Sequence, residues 1–247
     1  QRRTMPRSTL RGARGQPAKR GAHFSPRLRG FRYESWHWRA WGELLHRVRT
    51  GESAFEHAFG QSLFDYLTSH SEAAQINDAA MTSSGRVQNR AVAETYDFEG
   101  RLVVDVGGGE GGLMASILTQ HPGASGMLFD LPHAIRAGAK AFAGTGPSER
   151  CQLVGGNFFE RVPPGGDIYI LKRVIHDWDD ERATVILKQC GAAMSDHSRL
   201  LVVEHLPAPG NLRSWPKILD IEMLVLTSGG RERGEDEYRT LMASAGL

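Results

Sequence analysis

The sequence predicts an α/β chain built on a doubly wound, mostly parallel sheet, and three observations carry that prediction. From Arg101 onward, short apolar runs alternate with longer segments of helical period. The first run, Leu102-Val-Val-Asp105-Val106, ends in a glycine turn, Gly107-Gly-Gly-Glu-Gly-Gly112, that opens an apolar helical pattern. Ahead of it, residues 36–97 carry apolar side chains at helical spacing. Strands separated by helices must cross over and run parallel, with helices on both faces and the ligand crevice at the carboxyl ends of the strands.

The elements follow in order. Trp38, Trp41, Leu44, Leu45 and Val48 recur at three- and four-residue spacing from about Trp36, and Thr50-Gly51 ends the pattern. Phe55, Ala58, Phe59, Leu63, Phe64 and Leu67 carry helices on to about Met81, and another helix covers about Val87–Tyr96. Strands are predicted at Leu102–Val106, Gly126–Leu131, Gln152–Val154, Ile168–Lys172 and Leu200–Glu204. Helices are predicted at Gly111–Gln120, Pro132–Phe142, Asp179–Met194 and Asp236–Ala245. In the third of these, Asp179, Asp180 and Glu181 suit the positive end of the helix, while Ala183, Ile186, Leu187, Cys190 and Met194 form its apolar face.

A net charge of +2 hides an asymmetry: residues 1–49 hold 13 Lys and Arg against 2 acidic residues. Residues 1–35 show no sustained apolar period and cannot bury enough to fold alone. Arginine outnumbers lysine twelve to one in the basic stretch. That bias favours a disordered or non-native arm over a polyanion-binding tail or a targeting segment. The two cysteines, Cys151 and Cys190, lack metal-ligand spacing and read as buried, reduced thiols, so neither a metal site nor a disulfide is expected. No apolar run is long enough to span a bilayer and no signal segment is evident, which makes a cytoplasmic protein the expectation.

The glycine turn is a place for a nucleotide-like ligand, because glycines admit close backbone approach and the following helix directs its free N–H groups there. Gly107, Gly109 and Gly112 satisfy the dinucleotide pattern. Asp105-x-Gly107-x-Gly109-x-Gly111 equally satisfies the pattern of S-adenosylmethionine enzymes. Asp130, closing Gly126-Met-Leu-Phe-Asp, can grip ribose hydroxyls in either case.

Leu171-Lys-Arg-Val-Ile-His176-Asp-Trp-Asp-Asp-Glu181 leaves a strand and enters a helix. Taken with Val103-Val-Asp-Val-Gly-Gly-Gly, Leu128-Phe-Asp-Leu-Pro, Val154-Gly-Gly-Asn-Phe-Phe, Val202-Val-Glu-His and Gly229-Gly-Arg-Glu-Arg, it resembles the caffeic-acid-type small-molecule O-methyltransferases and their bacterial relatives in polyketide tailoring. The likeness runs from about Trp36 to Leu247. It implies a Rossmann-like fold, S-adenosyl-L-methionine as cofactor, and methyl transfer to a phenolic hydroxyl of an aromatic or polyketide-like small molecule. His176 is implied as general base, flanked by Glu204 and Glu232, with Asp177 a neighbouring acid. Asp105, Gly107, Gly109, Asp130, Asn157, Phe158 and Lys172 are implied at the cofactor: the glycines along its amino-acid part, Asp130 at the ribose, Phe158 against the adenine. Asn157 stands where many relatives carry Asp. Met81, Met223 and Thr227 match positions that shape the acceptor pocket.

The resemblance also implies a homodimer made through a winged-helix-like domain, which the arginine-rich arm replaces here and so leaves in question. The expected division is an arm over 1–35, a helical dimerisation remnant over 36–97 and the cofactor domain over 98–247, ending before the final antiparallel strand pair. No membrane or nucleic-acid partner is implied. The competing readings are the same cofactor used in hydroxylation or decarboxylation, a poorly active fragment, a nicotinamide dehydrogenase, and a polyanion-binding protein acting through its arm.

Overall fold

The computed structural model describes residues 26–143 and 146–247. The predicted arm lies outside the described residues up to position 25. From there it departs from expectation, because α1 (Pro26–Tyr33) is helical and buries Phe31 at 4% exposure among the next helices. Five helices follow: α2 (Ser35–Gly42), α3 (Leu44–Thr50), α4 (Ala54–Phe59), α5 (Leu63–Ser69) and α6 (Ser71–Thr95). The run from Trp36 to Thr50, read as one helix, breaks at Glu43, and left-handed Gly51 ends α3. Ser53 and Ser62 cap α4 and α5, each accepting a hydrogen bond from the backbone N–H three residues on.

The two helices expected between about Ser71 and Tyr96 are one. Thr82-Ser-Ser-Gly85 is a poor helical stretch, yet α6 passes through it because Gly85 packs beside Lys172 Nζ and Thr82 donates a hydrogen bond of 2.6 Å to Glu110. Tertiary contact overrides weak local propensity there.

From Leu102 the chain alternates as predicted through β1 (Leu102–Val106), α7 (Gly112–Gln120), β2 (Ser125–Asp130), α8 (Pro132–Phe142), β3 (Cys151–Gly155), β4 (Ile168–Lys172), α9 (Asp180–Ala193) and β5 (Arg199–Val203). Among the described residues the sheet order is β3-β2-β1-β4-β5, parallel throughout. Val103, Val104, Val106, Ile170 and Leu171 are fully buried, as strands covered on both faces require. One face packs on Ile186, Leu187, Cys190, Tyr238 and Leu241, the other on Leu113, Met114, Ile117, Leu118 and Phe142. Arg150 fastens the end of α7, donating to the carbonyls of Leu118, His121 and Ala124. Cys190 is buried and Cys151 only half-buried, and both are free thiols.

Two helices complete the chain: α10 (Trp215–Leu226), not anticipated from the sequence, and α11 (Glu235–Ser244). α10 joins the N-terminal helices to the sheet domain, since Val225 and Leu226 share a core with Trp36, Phe55 and Leu67. Glu222 of α10 accepts hydrogen bonds from His37 at 2.6 Å and from the Trp41 indole at 3.1 Å. Among the described residues no helix is long and apolar enough to cross a membrane.

Candidate active site

Strand register decides which side chains meet. β4 pairs with β1 through Ile168↔Val103, Tyr169↔Val104 and Ile170↔Asp105, so Lys172 comes level with Gly107. Gly107 then lies against Val174, 2.8 Å from where its Cβ would stand, and the turn after β4 is thereby seated on the glycine loop.

The loop is held open from below. Gly109 has φ +58 and nothing among the described residues within 4 Å of where a Cβ would point, so its outer side is open. Gly111, at φ +80, has no such room: a Cβ would collide with Phe142 and lie 2.9 Å from Leu128. Gly111→Ala is expected to destabilise the protein by about 2–5 kcal/mol, combining left-handed strain with overpacking. Gly109→Ala is expected to cost about 1–2 kcal/mol, the backbone part alone. Thermal unfolding of the two variants checks the ranking.

Asp130 stands at the carboxyl end of β2 and binds the loop directly. Its Oδ2 accepts from Gly109 N–H at 2.7 Å and its Oδ1 from Leu131 N–H at 2.6 Å. Asp105 is placed differently from a ligand-contacting residue. It is 1% exposed, beneath Gly108, and its Oδ2 has no hydrogen-bond partner among the described residues. Burial pushes its carboxyl up to about 7 against the opposing pull of Lys172. Asp105 therefore supports the loop from underneath. Lys172 itself is held below its ordinary value by burial and then by Arg173.

Beyond β3, Asn157 spends its amide on its own turn: Oδ1 accepts from Phe159 N–H at 3.0 Å and Nδ2 donates to Glu160 at 3.1 Å. Phe158 lies 3.6 Å from the Cβ position of Gly107, with its ring edge-on to Phe159 and Trp178. Phe64 of α5 stacks on Trp178 at 5.3 Å, which brings the N-terminal helices over this side of the crevice.

His176 occupies a short 3-10 turn between β4 and α9 and is 3% exposed. Its Nδ1 lies 2.7 Å from Glu232 Oε1, and its Nε2 lies 3.4 Å from Asp177 Oδ1. The carboxylate of Glu232 accepts the Nδ1 proton, which leaves Nε2 as the basic nitrogen. Burial alone would lower the imidazole. Asp177, Glu204 and Glu232 outweigh it and lift His176 to about 8.

Glu204 does not touch the ring. Its Oε1 accepts the backbone N–H groups of Val174, Ile175 and His176 at 3.1, 2.9 and 3.4 Å, so it shapes the turn that carries the histidine. Burial drives this carboxyl up to about 7, partly offset by His176. Of the pair expected to flank the imidazole, Glu232 alone is bonded to it.

A residue that sequence reasoning missed fastens the whole arrangement. Arg233 is 0% exposed and donates to the carbonyls of Ile175 and Trp178 at 3.0 and 2.7 Å and to Asp180 at 2.7 and 2.9 Å. Gly230 lies against the His176 carbonyl, 2.6 Å from where its Cβ would stand, and Arg231 N–H donates to that same oxygen at 2.8 Å. Asp220 of α10 accepts from Glu232 N–H at 2.8 Å.

The three residues expected around an acceptor fare unequally. Met81 is 36% exposed on α6, and among the described residues no recorded contact joins it to His176 or the glycine loop. Met223 is buried on α10. Thr227 is buried, donates to the Met223 carbonyl and accepts from Gly230 N–H, so its hydroxyl belongs to the loop that carries Glu232.

The family model described as an O-methyltransferase domain matches residues 41–247. The chain is 44% identical over 211 residues to the phenazine O-methyltransferase PhzM of Lysobacter antibioticus, covering 85% of this chain and 62% of that protein. It is also 44% identical to the 3-amino-4-hydroxybenzoate 4-O-methyltransferase of Streptomyces cremeus, covering 87% and 59%. The chain thus spans about three-fifths of the length of these relatives. The solved O-methyltransferase NcsB1 from neocarzinostatin biosynthesis, in complex with S-adenosylmethionine and 2-hydroxy-5-methyl naphthoic acid, superposes with a TM-score of 0.78 at 35% identity, over 85% of this chain and 63% of that one.

Proposed function

The chain belongs to the O-methyltransferase family, and on that premise we propose that it transfers a methyl group from S-adenosyl-L-methionine to a hydroxyl of a small aromatic molecule. The observation that carries this reading is the His176–Glu232 pair, 2.7 Å apart, on the turn that packs against the glycine loop. Residues 98–247 provide the cofactor site, and the helices of 36–97 close its acceptor side.

The residues present fit the cofactor. The open side of Gly109 and the N-terminus of α7 form a cradle, Asp130 stands at the next strand end, and Phe158 offers an aromatic wall. Bound there, S-adenosylmethionine supplies an electrophilic methyl group on a sulfonium sulfur. His176 Nε2 takes the hydroxyl proton as negative charge builds on the acceptor oxygen. Glu232 keeps the ring's proton on Nδ1 and, with Asp177, stabilises the imidazolium that results. A histidine near 8 is a stronger base than an ordinary one and lies closer to a phenol at about 10, which eases the transfer. The corresponding cost is that a smaller share of it is neutral at pH 7 than of an ordinary histidine.

The test is a reaction of the protein with S-adenosylmethionine and a panel of phenols, analysed by mass. A gain of one CH₂ unit supports methyl transfer, whereas an added oxygen or a lost CO₂ replaces it with hydroxylation or decarboxylation. The acidic limb of kcat/KM is expected to rise through about 8, because the protonated imidazole cannot accept a proton. In Glu232→Gln, which removes one of the charges lifting His176, that limb is expected to move to lower pH. A limb that stays put would show that Glu232 does not tune the base.

A further inference from the structure

Two arginines sit beside the catalytic turn, and they are partnered in opposite ways. Arg233 donates through Nε, Nη1 and Nη2 to a carboxylate and two carbonyls. Arg173, the residue after β4, forms one side-chain hydrogen bond among the described residues, from Nη1 to Ser84 Oγ at a long 3.4 Å, and its buried Nε has no partner. It pairs with no carboxylate among the described residues. Its backbone is also unusual, for it alone among the described non-glycine residues has a positive φ, +54, a conformation that disfavours a side chain of this kind.

The position gives the unmatched cation a meaning. Ser84 lies three residues after Met81 and four before Gln88, so the three share one face of α6. Met81 is exposed on that face, and Gln88 is 3.0 Å from His205, just beyond β5. Arg173 therefore lies between α6 and the ends of β4 and β5, three residues before His176. Its charge reaches the reacting groups. After burial, it is the largest influence holding His205 below its ordinary value, and it opposes the acids that raise His176. A guanidinium kept partly out of water, with the Asp177 carboxyl within reach of its charge but no carboxylate at ion-pair distance among the described residues, has donors left for a further anion.

Resting on the methyl-transfer reading above, we propose that Arg173 completes its pairing with a carboxylate carried by the acceptor, so that the preferred substrates are phenolic acids rather than neutral phenols. Ser84 of α6 steadies one arm of the fork. A planar guanidinium suits a carboxylate through two parallel hydrogen bonds, a geometry lysine cannot reproduce.

The test uses calorimetry on the whole chain saturated with S-adenosylhomocysteine, titrated with 4-hydroxybenzoate and with 3-hydroxy-2-naphthoate, each against its methyl ester. At least one acid is expected to bind about tenfold or more tightly than its ester. Arg173→Asn, which suits left-handed backbone and so preserves the turn, is expected to bring that ratio close to one, and Arg173→Lys to leave it in between. Equal binding of acid and ester to the wild type, or binding of neither, overturns the proposal. So does an acid preference that survives in Arg173→Asn. A tenfold loss of S-adenosylhomocysteine affinity in that variant, with the acid preference intact, would assign the cation to the cofactor's own carboxylate instead. Failure of the wild type to bind S-adenosylhomocysteine counts against methyl transfer itself, whereas a loaded protein with no acid preference overturns only the role of Arg173.

Discussion

Replacing His176 with alanine is expected to lower kcat by about 10²–10⁴-fold, the usual contribution of a positioned general base, while affinity for S-adenosylhomocysteine changes by about twofold at most. The separation follows from the geometry. His176 hangs from the turn after β4 by its own hydrogen bond to Glu232, whereas the loop that would hold the cofactor is braced by Asp130 and Leu128 on the other side of β1. Removing the ring leaves Glu232 buried without its partner, so some loss of stability accompanies the loss of rate. Single-turnover rates and a binding titration on the same sample distinguish the two effects. A variant that turns over at the wild-type rate would remove the imidazole from the chemistry.

Arg233→Met is expected to cost about 3 kcal/mol of stability, seen as a fall in Tm of about 6–12 °C. Most of this comes from the carbonyls of Ile175 and Trp178, which lose their donors inside the protein. Little comes from Asp180, whose side chain is 61% exposed and can turn to water. Because those carbonyls flank His176, kcat should fall in the same variant. Arg233→Lys keeps a cation but cannot reach three acceptors at once, and it is expected to recover only part of the loss. An unchanged melting temperature in Arg233→Met would mean that the turn is held by other contacts.

What the sequence disclosed and what it withheld separate along one physical line. The alternation from Leu102, the glycine turn and the acidic start of α9 are local patterns, and each became the expected element within a residue or two. His176 and Glu232 were legible through the motifs around them. Arg233 was not, because a basic residue in Arg231-Glu-Arg233 reads as a solvated charge. Indeed Arg231 is 40% exposed while its neighbour two residues on is fully buried. Nor could spacing reveal that Glu204 serves backbone N–H groups 28–30 residues earlier instead of a ring. Helix α10 carried a signal that went unread: Ser214 before Trp215-Pro216, then Leu219, Met223 and Leu226 at helical intervals. The apolar cluster of Trp36, Phe55 and Leu67 was anticipated as helical, but its union with α10 is a long-range contact that no local window contains.

The grip of Asp130 on Gly109 and Leu131 has a kinetic meaning. Both oxygens are engaged by amides without any ligand, so at the cofactor loop proposed above the backbone is already ordered, and that entropy falls on folding rather than on encounter. Capture at this loop should then be limited by diffusion and desolvation, with any slow rearrangement confined to the helices that cover the opposite wall.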